Sequence, residues 1–203
     1  MSLLCILLFF VLYFGRAAIS CAVSGQMNLM YDVLKSPATW SYILFMPVNF
    51  LMVFAPFFGE EYGWRYYLQP ILQKRFGIRA GILILGVSWG VWHIFLDFFY
   101  YTTPDMGFAM TMIQIITCVT LGVFFAWAYQ KTDNIWVPVI LHFMNNNLAP
   151  VMANNYSMDV LEIMNPMPFE SNIIWNLRLL LPEILLTIRR SQIPHRSKAM
   201  SAV

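Results

Sequence analysis

Apolar residues occur along this chain in runs long enough to cross a bilayer, separated by short polar segments. A membrane-spanning helix needs about 20 predominantly apolar residues. The stretches that approach or reach this length are Leu3–Val23, Trp40–Phe58, Ala80–Tyr100, Phe108–Tyr129, Ile135–Ala153 and Ile173–Ile188. Glu60–Phe76 carries too many charges to cross lipid and is predicted to be an amphipathic helix that lies near the membrane face or dips partly into it. The pattern predicts an all-α, polytopic transmembrane helical bundle of about six spans plus one amphipathic interfacial helix.

Composition supports a membrane location. Of the 203 residues, 60% are hydrophobic and 11% are charged, which is too apolar for an ordinary soluble domain. The net charge is only +2, and the basic residues collect at segment ends and in the tail. We therefore expect membrane lipids, and no nucleic acid, as partners. The cysteines, Cys5, Cys21 and Cys118, have neither a zinc-site nor a disulfide spacing and are interpreted as buried hydrophobes.

The organisation of the chain is that of one unit. The first apolar run lacks a basic leading region and is long enough to span, so we expect a retained helix rather than a signal peptide. No internal repeat, linker or low-complexity stretch is present, which predicts a single membrane-embedded domain over residues 1–203. Lysines and arginines favour cytoplasmic loops, and their distribution predicts cytoplasmic N- and C-termini, in the plasma membrane. Whether the last apolar run crosses fully stays open.

The first polar cluster follows directly after an apolar run. If Glu60 begins a helix, Glu61 and Arg65 lie four residues apart on one face and can pair. Glu60 is then free to act as a base or a metal ligand. The alternative is simple placement of acidic groups in the first turn of a helix, where they suit its dipole.

A second polar group lies deep in an apolar helix. His93 ends the sequence Trp-Gly-Val-Trp-His that begins at Trp89, and Asp97 follows one turn later. A histidine here is either a functional group or a core residue whose ring satisfies a backbone carbonyl. Asp97 could orient the imidazole, but we favour a solvated position at the far interface.

A third cluster combines His142 with three successive asparagines, Asn145, Asn146 and Asn147. His142 and Asn146 are four residues apart, so both are predicted to point into one groove and donate to the same oxygen. Asparagines at membrane depth are costly against lipid and should face protein or a wet cavity. A purely structural hydrogen-bond cluster between helices is the alternative.

These motifs, in this order, resemble the CPBP family of intramembrane proteases. That family includes the type II CAAX prenyl endopeptidases and bacterial bacteriocin-processing or self-immunity proteins. Its pattern is Glu-Glu-x-x-x-Arg, then an aromatic residue four positions before a histidine, then His-x-x-x-Asn. Residues 60–65, 89–93 and 142–146 match these elements. The resemblance covers about residues 54–150, which we expect to be the catalytic core.

The resemblance implies that Glu60 and His93 activate a water that attacks a peptide carbonyl. His142 and Asn146 would then form the oxyanion hole, and Glu61 with Arg65 would brace the site. The substrate would be a peptide or a prenylated protein. Zinc is one possible cofactor, with Glu60, His93 and His142 as its ligands, but a metal-free glutamate mechanism uses the same side chains.

Two functions of other classes remain open at this point. A non-catalytic immunity or scaffold protein could retain the motifs for structure and sequester a peptide. A small transporter could use the same intramembrane polar groups, although no inverted repeat supports one.

Overall fold

The computed structural model of the chain describes residues 1–23 and 25–153, and the elements in this part are helical. They are α1 (Ser2–Val23), α2 (Met27–Lys35), α3 (Pro37–Glu61), a π-helical segment (Tyr62–Leu68), α4 (Gln69–Phe76), α5 (Ile78–Trp92), α6 (Ile94–Phe99), a 3-10 turn (Pro104–Met106), α7 (Gly107–Thr132) and α8 (Trp136–Ala153). The predicted all-α class is confirmed for these residues. The predicted sixth span, residues 173–188, lies outside them.

Several of the helices are suited to a bilayer by length and apolarity. Within residues 1–23 and 25–153, four helical runs meet both conditions, and they are Ser2–Val23, Pro37–Phe76, Ile78–Phe99 and Pro104–Thr132. The helix α8 covers the predicted fifth span. Large apolar side chains on the outside, such as Leu44, Met52 and Phe95, are more than three-quarters exposed. Apolar surface of this kind is stable against lipid and costly in water.

The segment Glu60–Phe76 differs from its prediction as a separate interfacial helix. The helical run continues from Pro37 to Phe76 with a kink at Val53, and Glu60 lies in the last turn of α3 instead of beginning a helix. The charges that argued against a continuous helix are partly neutralised inside the protein, since Glu61 and Arg65 pair with each other and are fully buried. The alternative of acidic groups placed at a helix start is therefore wrong.

Close contact between α5 and α7 depends on glycine. Gly86 and Gly90 are one turn apart on the face of α5 that packs against Val119 and Ile115 of α7. A Cβ built on Gly86 would lie 2.6 Å from the Cα of Val119. Small residues spaced by four let helix backbones approach closely in membranes, where dispersion rather than the hydrophobic effect holds helices together. This packing sets the depth at which α5 presents its polar residues.

A kink divides α3 into two halves. Val53 has non-helical dihedrals (φ −125°, ψ 15°) one turn before Pro56, whose ring and missing N–H interrupt the helix. The helix α8 packs along α3 across this kink. Phe143 of α8 contacts Phe50 before the kink and Phe57 after it, with ring centroids 5.2 and 5.5 Å apart. Both halves of α3 are therefore held against the same partner helix.

We expect Gly86→Ala to destabilise the folded protein by about 1–3 kcal/mol, because its methyl group would overlap the α7 backbone. Gly15→Ala in α1 is the matched control, since a Cβ there meets nothing within 4 Å. Thermal unfolding in detergent micelles measures both. Equal unfolding temperatures for the two variants would contradict close α5–α7 packing.

Candidate active site

Trp89 joins the polar groups that the sequence singled out. Its indole N–H donates to Oε2 of Glu60 at 3.0 Å, and its backbone carbonyl lies 2.8 Å from Nδ1 of His93. Its ring meets the imidazole of His142 edge to face, with centroids 5.2 Å apart. Trp89 is only 2% exposed, so these contacts are made inside the protein. Groups from α3, α5 and α8 therefore meet around one side chain.

His93 lies at the break between α5 and α6, with φ −81° and ψ −1°. A carbonyl oxygen only accepts hydrogen bonds, so Nδ1 of His93 carries the proton that it donates to Trp89. In the neutral imidazole, Nε2 is then left as the acceptor. The ring is thus oriented by a backbone group and presents a basic nitrogen on its other side.

Glu61 and Arg65 form a buried ion pair. Oε1 of Glu61 lies 3.0 Å from Nη1 of Arg65, and both side chains are completely buried. The pairing predicted from their four-residue spacing is confirmed. The same oxygen of Glu61 also lies 2.9 Å from Nδ1 of His142, a contact that the sequence did not predict. The two glutamates therefore have different partners, as expected.

Aromatic rings complete the surroundings of Arg65. Its guanidinium carbon lies 4.2 Å from the ring centroid of Trp89 and 5.0 Å from that of Phe125. A cation over an aromatic face is attracted by the quadrupole of the ring, and the attraction grows when water is excluded. The charge of Arg65 is thus compensated by one carboxylate and two rings.

The three asparagines have separate surroundings. Asn147 connects α8 to α3, because its amide oxygen accepts from the hydroxyl of Tyr42 at 3.2 Å and from the amide of Asn49 at 3.1 Å. Asn146 is exposed, and its oxygen accepts from Asn145 at 3.1 Å. Asn147 therefore fits the alternative of a structural hydrogen-bond cluster between helices. Asn146 lies one turn after the buried His142 on α8.

Asp97 is buried, with an exposed fraction of 0%, so the favoured prediction of a solvated residue is wrong. It lies on the same face of α5 and α6 as Trp89 and His93, the face that packs on α7. Neither carboxylate oxygen has a hydrogen-bond partner among the described residues. Thr111 lies beside it, but the hydroxyl of Thr111 donates to the carbonyl of Gly107 at 3.0 Å. The carbonyl of Trp89, and not Asp97, orients His93.

The residues proposed for zinc do not form a metal-binding group. Within residues 1–23 and 25–153, no set of three or more histidine, cysteine, aspartate or glutamate side chains is arranged to hold a metal ion. The described side chains are therefore not arranged as a three-ligand zinc site.

Comparisons with known proteins point to one family. The profile of the family described as "Type II CAAX prenyl endopeptidase Rce1-like" matches residues 38–148, which is more than half of the chain and contains all three motifs. The curated "CAAX prenyl protease 2" of Methanococcus maripaludis is 27% identical over 123 residues, which are 58% of this chain and 45% of that protein. The chain thus spans about half the length of this relative. No solved structure matches the present chain.

We expect Arg65→Met to reduce the stability of the folded protein by about 3–5 kcal/mol, because it leaves Glu61 as a buried charge without its cation. Methionine keeps the apolar stem, so the loss reports the charge. Arg75→Met, at the exposed end of α4, should change stability by less than about 0.5 kcal/mol. Thermal unfolding in micelles measures both variants. A similar small loss in each would show that the pair contributes little.

We expect Asp97→Asn to stabilise the folded protein by about 1–3 kcal/mol, because it removes a buried carboxylate that no described residue pairs. The imidazole of His93 should keep its tautomer. Thermal unfolding tests the first expectation, and nitrogen-15 NMR of the His93 side chain tests the second. A change in which ring nitrogen carries the proton would contradict orientation by the Trp89 carbonyl.

Proposed function

Because the chain belongs to the family of Rce1-like type II CAAX prenyl endopeptidases, we propose that it is an intramembrane endopeptidase. Its reaction is the hydrolysis of a peptide bond in a membrane-associated or lipid-modified substrate. The observation that supports this most is the meeting of Glu60, His93 and His142 around Trp89, inside an apolar helical bundle. The chain is an integral membrane protein, and the proposed site faces the cytoplasmic leaflet of the plasma membrane, with both termini cytoplasmic.

In this proposal Glu60 is the general base. The Trp89 indole holds one carboxylate oxygen at 3.0 Å, which leaves the other oxygen for a water molecule. Nε2 of His93, the acceptor nitrogen, positions the same water through a second hydrogen bond. Glu60 takes a proton from the water as the hydroxide adds to the carbonyl carbon, and later gives that proton to the leaving amine. Glu60 is half-buried, so it is reached by substrate and still partly shielded from solvent.

The oxyanion that forms on the carbonyl oxygen needs fixed donors. We assign this role to His142 and Asn146, one turn apart on α8. Because Nδ1 of His142 faces Glu61, its Nε2 donates to an oxyanion only when the ring carries both protons. The carboxylate of Glu61 lies 2.9 Å from this Nδ1, and Arg65 holds the carboxylate in place. Preorganised donors of this kind are effective because they need no rearrangement during the reaction.

The substrate class is taken from the family. The relative in Methanococcus maripaludis is named as a prenyl protease. We propose that this chain acts on a peptide or a prenylated protein held at the membrane surface. A lipid anchor would confine the peptide to the plane of the membrane and raise its local concentration at a site between helices.

We expect Glu60→Gln to lower kcat by about 10²- to 10⁴-fold, because glutamine cannot take a proton from water. The substitution is nearly isosteric, and its amide oxygen still accepts from the indole of Trp89, so the fold should persist. The measurement is cleavage of a fluorogenic prenylated peptide by the protein in liposomes. Asp105→Asn, in the 3-10 turn, is the control and should cleave at the unmodified rate.

Retention of cleavage by Glu60→Gln would exclude Glu60 as the base. If instead the unmodified protein binds the peptide without cleaving it, and Glu60→Gln binds equally well, the non-catalytic scaffold function replaces the proposal.

A further inference from the structure

A line of polar side chains runs along the helix that carries the two glutamates. Glu61, Arg65 and Gln69 are spaced by four residues and are at most 2% exposed. The residues between them on the neighbouring faces, Tyr62, Tyr66 and Tyr67 among others, are exposed. Gln73 continues the spacing and is half-buried. The proposed mechanism uses only the first two of these four positions.

Each of the four side chains holds a buried polar atom that has no hydrogen-bond partner among the described residues. These atoms are Oε2 of Glu61, Nε and Nη2 of Arg65, Oε1 of Gln69 and Nε2 of Gln73. The series is an acceptor, two donors, an acceptor and a donor. Buried polar atoms without partners are rare and costly in native proteins, and each one calls for a ligand.

The helix geometry keeps these groups in line. Positions four residues apart rise about 6 Å along an α-helix and less along a π-helical segment, so successive side chains are no further apart than one water can bridge. The π-helical segment Tyr62–Leu68 lies between the first and third positions. Its turns take more residues than α-helical turns, which holds four-residue spacings close to one face. One water that bonds two groups spans about 5.6–6 Å, so the spacing suits a single water between successive side chains.

The two ends of the line have different surroundings. At the inner end, Glu61 contacts His142 at 2.9 Å. At the outer end, Oε1 of Gln73 accepts from Gln130 at 3.0 Å, and Gln130 is exposed. Lys74, next to Gln73, belongs to the last turn of α4. The line therefore leads from the buried ion pair to the membrane face formed by the ends of α4 and α7.

We propose that Glu61, Arg65, Gln69 and Gln73 line a file of internal water molecules that connects the His142–Glu61 contact to this membrane face. Water is the ligand because the line pairs one carboxylate with one guanidinium and has no net charge to attract an ion. Alternating donors and acceptors match the hydrogen bonding of water, which offers both. The file hydrates the ion pair without exposing it and gives the imidazole of His142 a solvent connection away from the substrate. This second role rests on the proposed function, whereas the file itself does not.

Radiolytic labelling of the unmodified protein tests the file directly. Hydroxyl radicals produced from internal water oxidise the side chains beside that water. Phe125 and Phe143 are matched probes, because both are at most 2% exposed, but only Phe125 lies against Arg65. We expect Phe125 to be oxidised several-fold faster than Phe143. Equal rates for the two phenylalanines would overturn the proposal, whether or not the protein cleaves peptides.

A kinetic test addresses the role of Gln69 as a positioning residue. Gln69→Leu removes one acceptor from the file and should lower kcat by about tenfold with KM unchanged, the order of one lost hydrogen-bonded link. Gln69→Glu, which retains an acceptor, should restore most of the loss. Gln114→Leu is the control, because Gln114 lies on α7 outside the line and donates its hydrogen bond to the sulfur of Cys118 on the same helix.

The outcomes of the two tests separate the file from the proposed function. In the Gln69→Leu protein, oxidation of Phe125 should fall to the rate of Phe143. Unchanged Phe125 oxidation in Gln69→Leu would contradict the file, whereas an unchanged kcat would contradict only its role in the reaction. Loss of cleavage in Glu60→Gln with normal Phe125 oxidation is the result expected if both proposals hold.

Discussion

The buried pairing of Glu61 with Arg65 is the interaction on which the rest of the arrangement depends. Moving two opposite charges out of water costs several kcal/mol for each ion, roughly, and their attraction offsets this only when geometry and additional hydrogen bonds are good. Both conditions recruit other helices. Glu61 needs His142 from α8, and Arg65 needs the rings of Trp89 from α5 and Phe125 from α7. The relative positions of these helices therefore follow from the requirement that one ion pair be fully surrounded.

The local features of the fold could be predicted from the sequence, because they depend on neighbours along one helix. Apolar runs located the helices, and a four-residue spacing was sufficient to predict the contact of Glu61 with Arg65. The family resemblance, drawn from three short motifs, is confirmed by a profile match over residues 38–148. The placement of Glu60 at the start of a helix was wrong because the charges after it were counted without knowing that Glu61 and Arg65 pair inside the protein.

Contacts between helices could not be predicted in the same way. The bond from Trp89 to Glu60 joins residues 29 positions apart and requires α5 and α3 to meet in one register. Successive asparagines on a helix point about 100° apart, so the rotation of α8 decides which of them faces α3. That rotation places Asn147, not Asn146, against Tyr42 and Asn49. The close packing of α5 on α7 is an exception, because the four-residue spacing of Gly86 and Gly90 indicates close helix packing.

The kink in α3 has a mechanical consequence. Asn147 of α8 accepts a hydrogen bond from Asn49 of α3, before the non-helical Val53. His142, also on α8, contacts Glu61 beyond Val53. The helix α8 therefore contacts α3 on both sides of the kink and stabilises the angle between its two halves. Straightening or further bending of α3 would have to break one of these two contacts or displace α8 as well. Any movement that opens the bundle to a large molecule would then displace α3 and α8 together, so the spacing of the side chains that they hold would be kept.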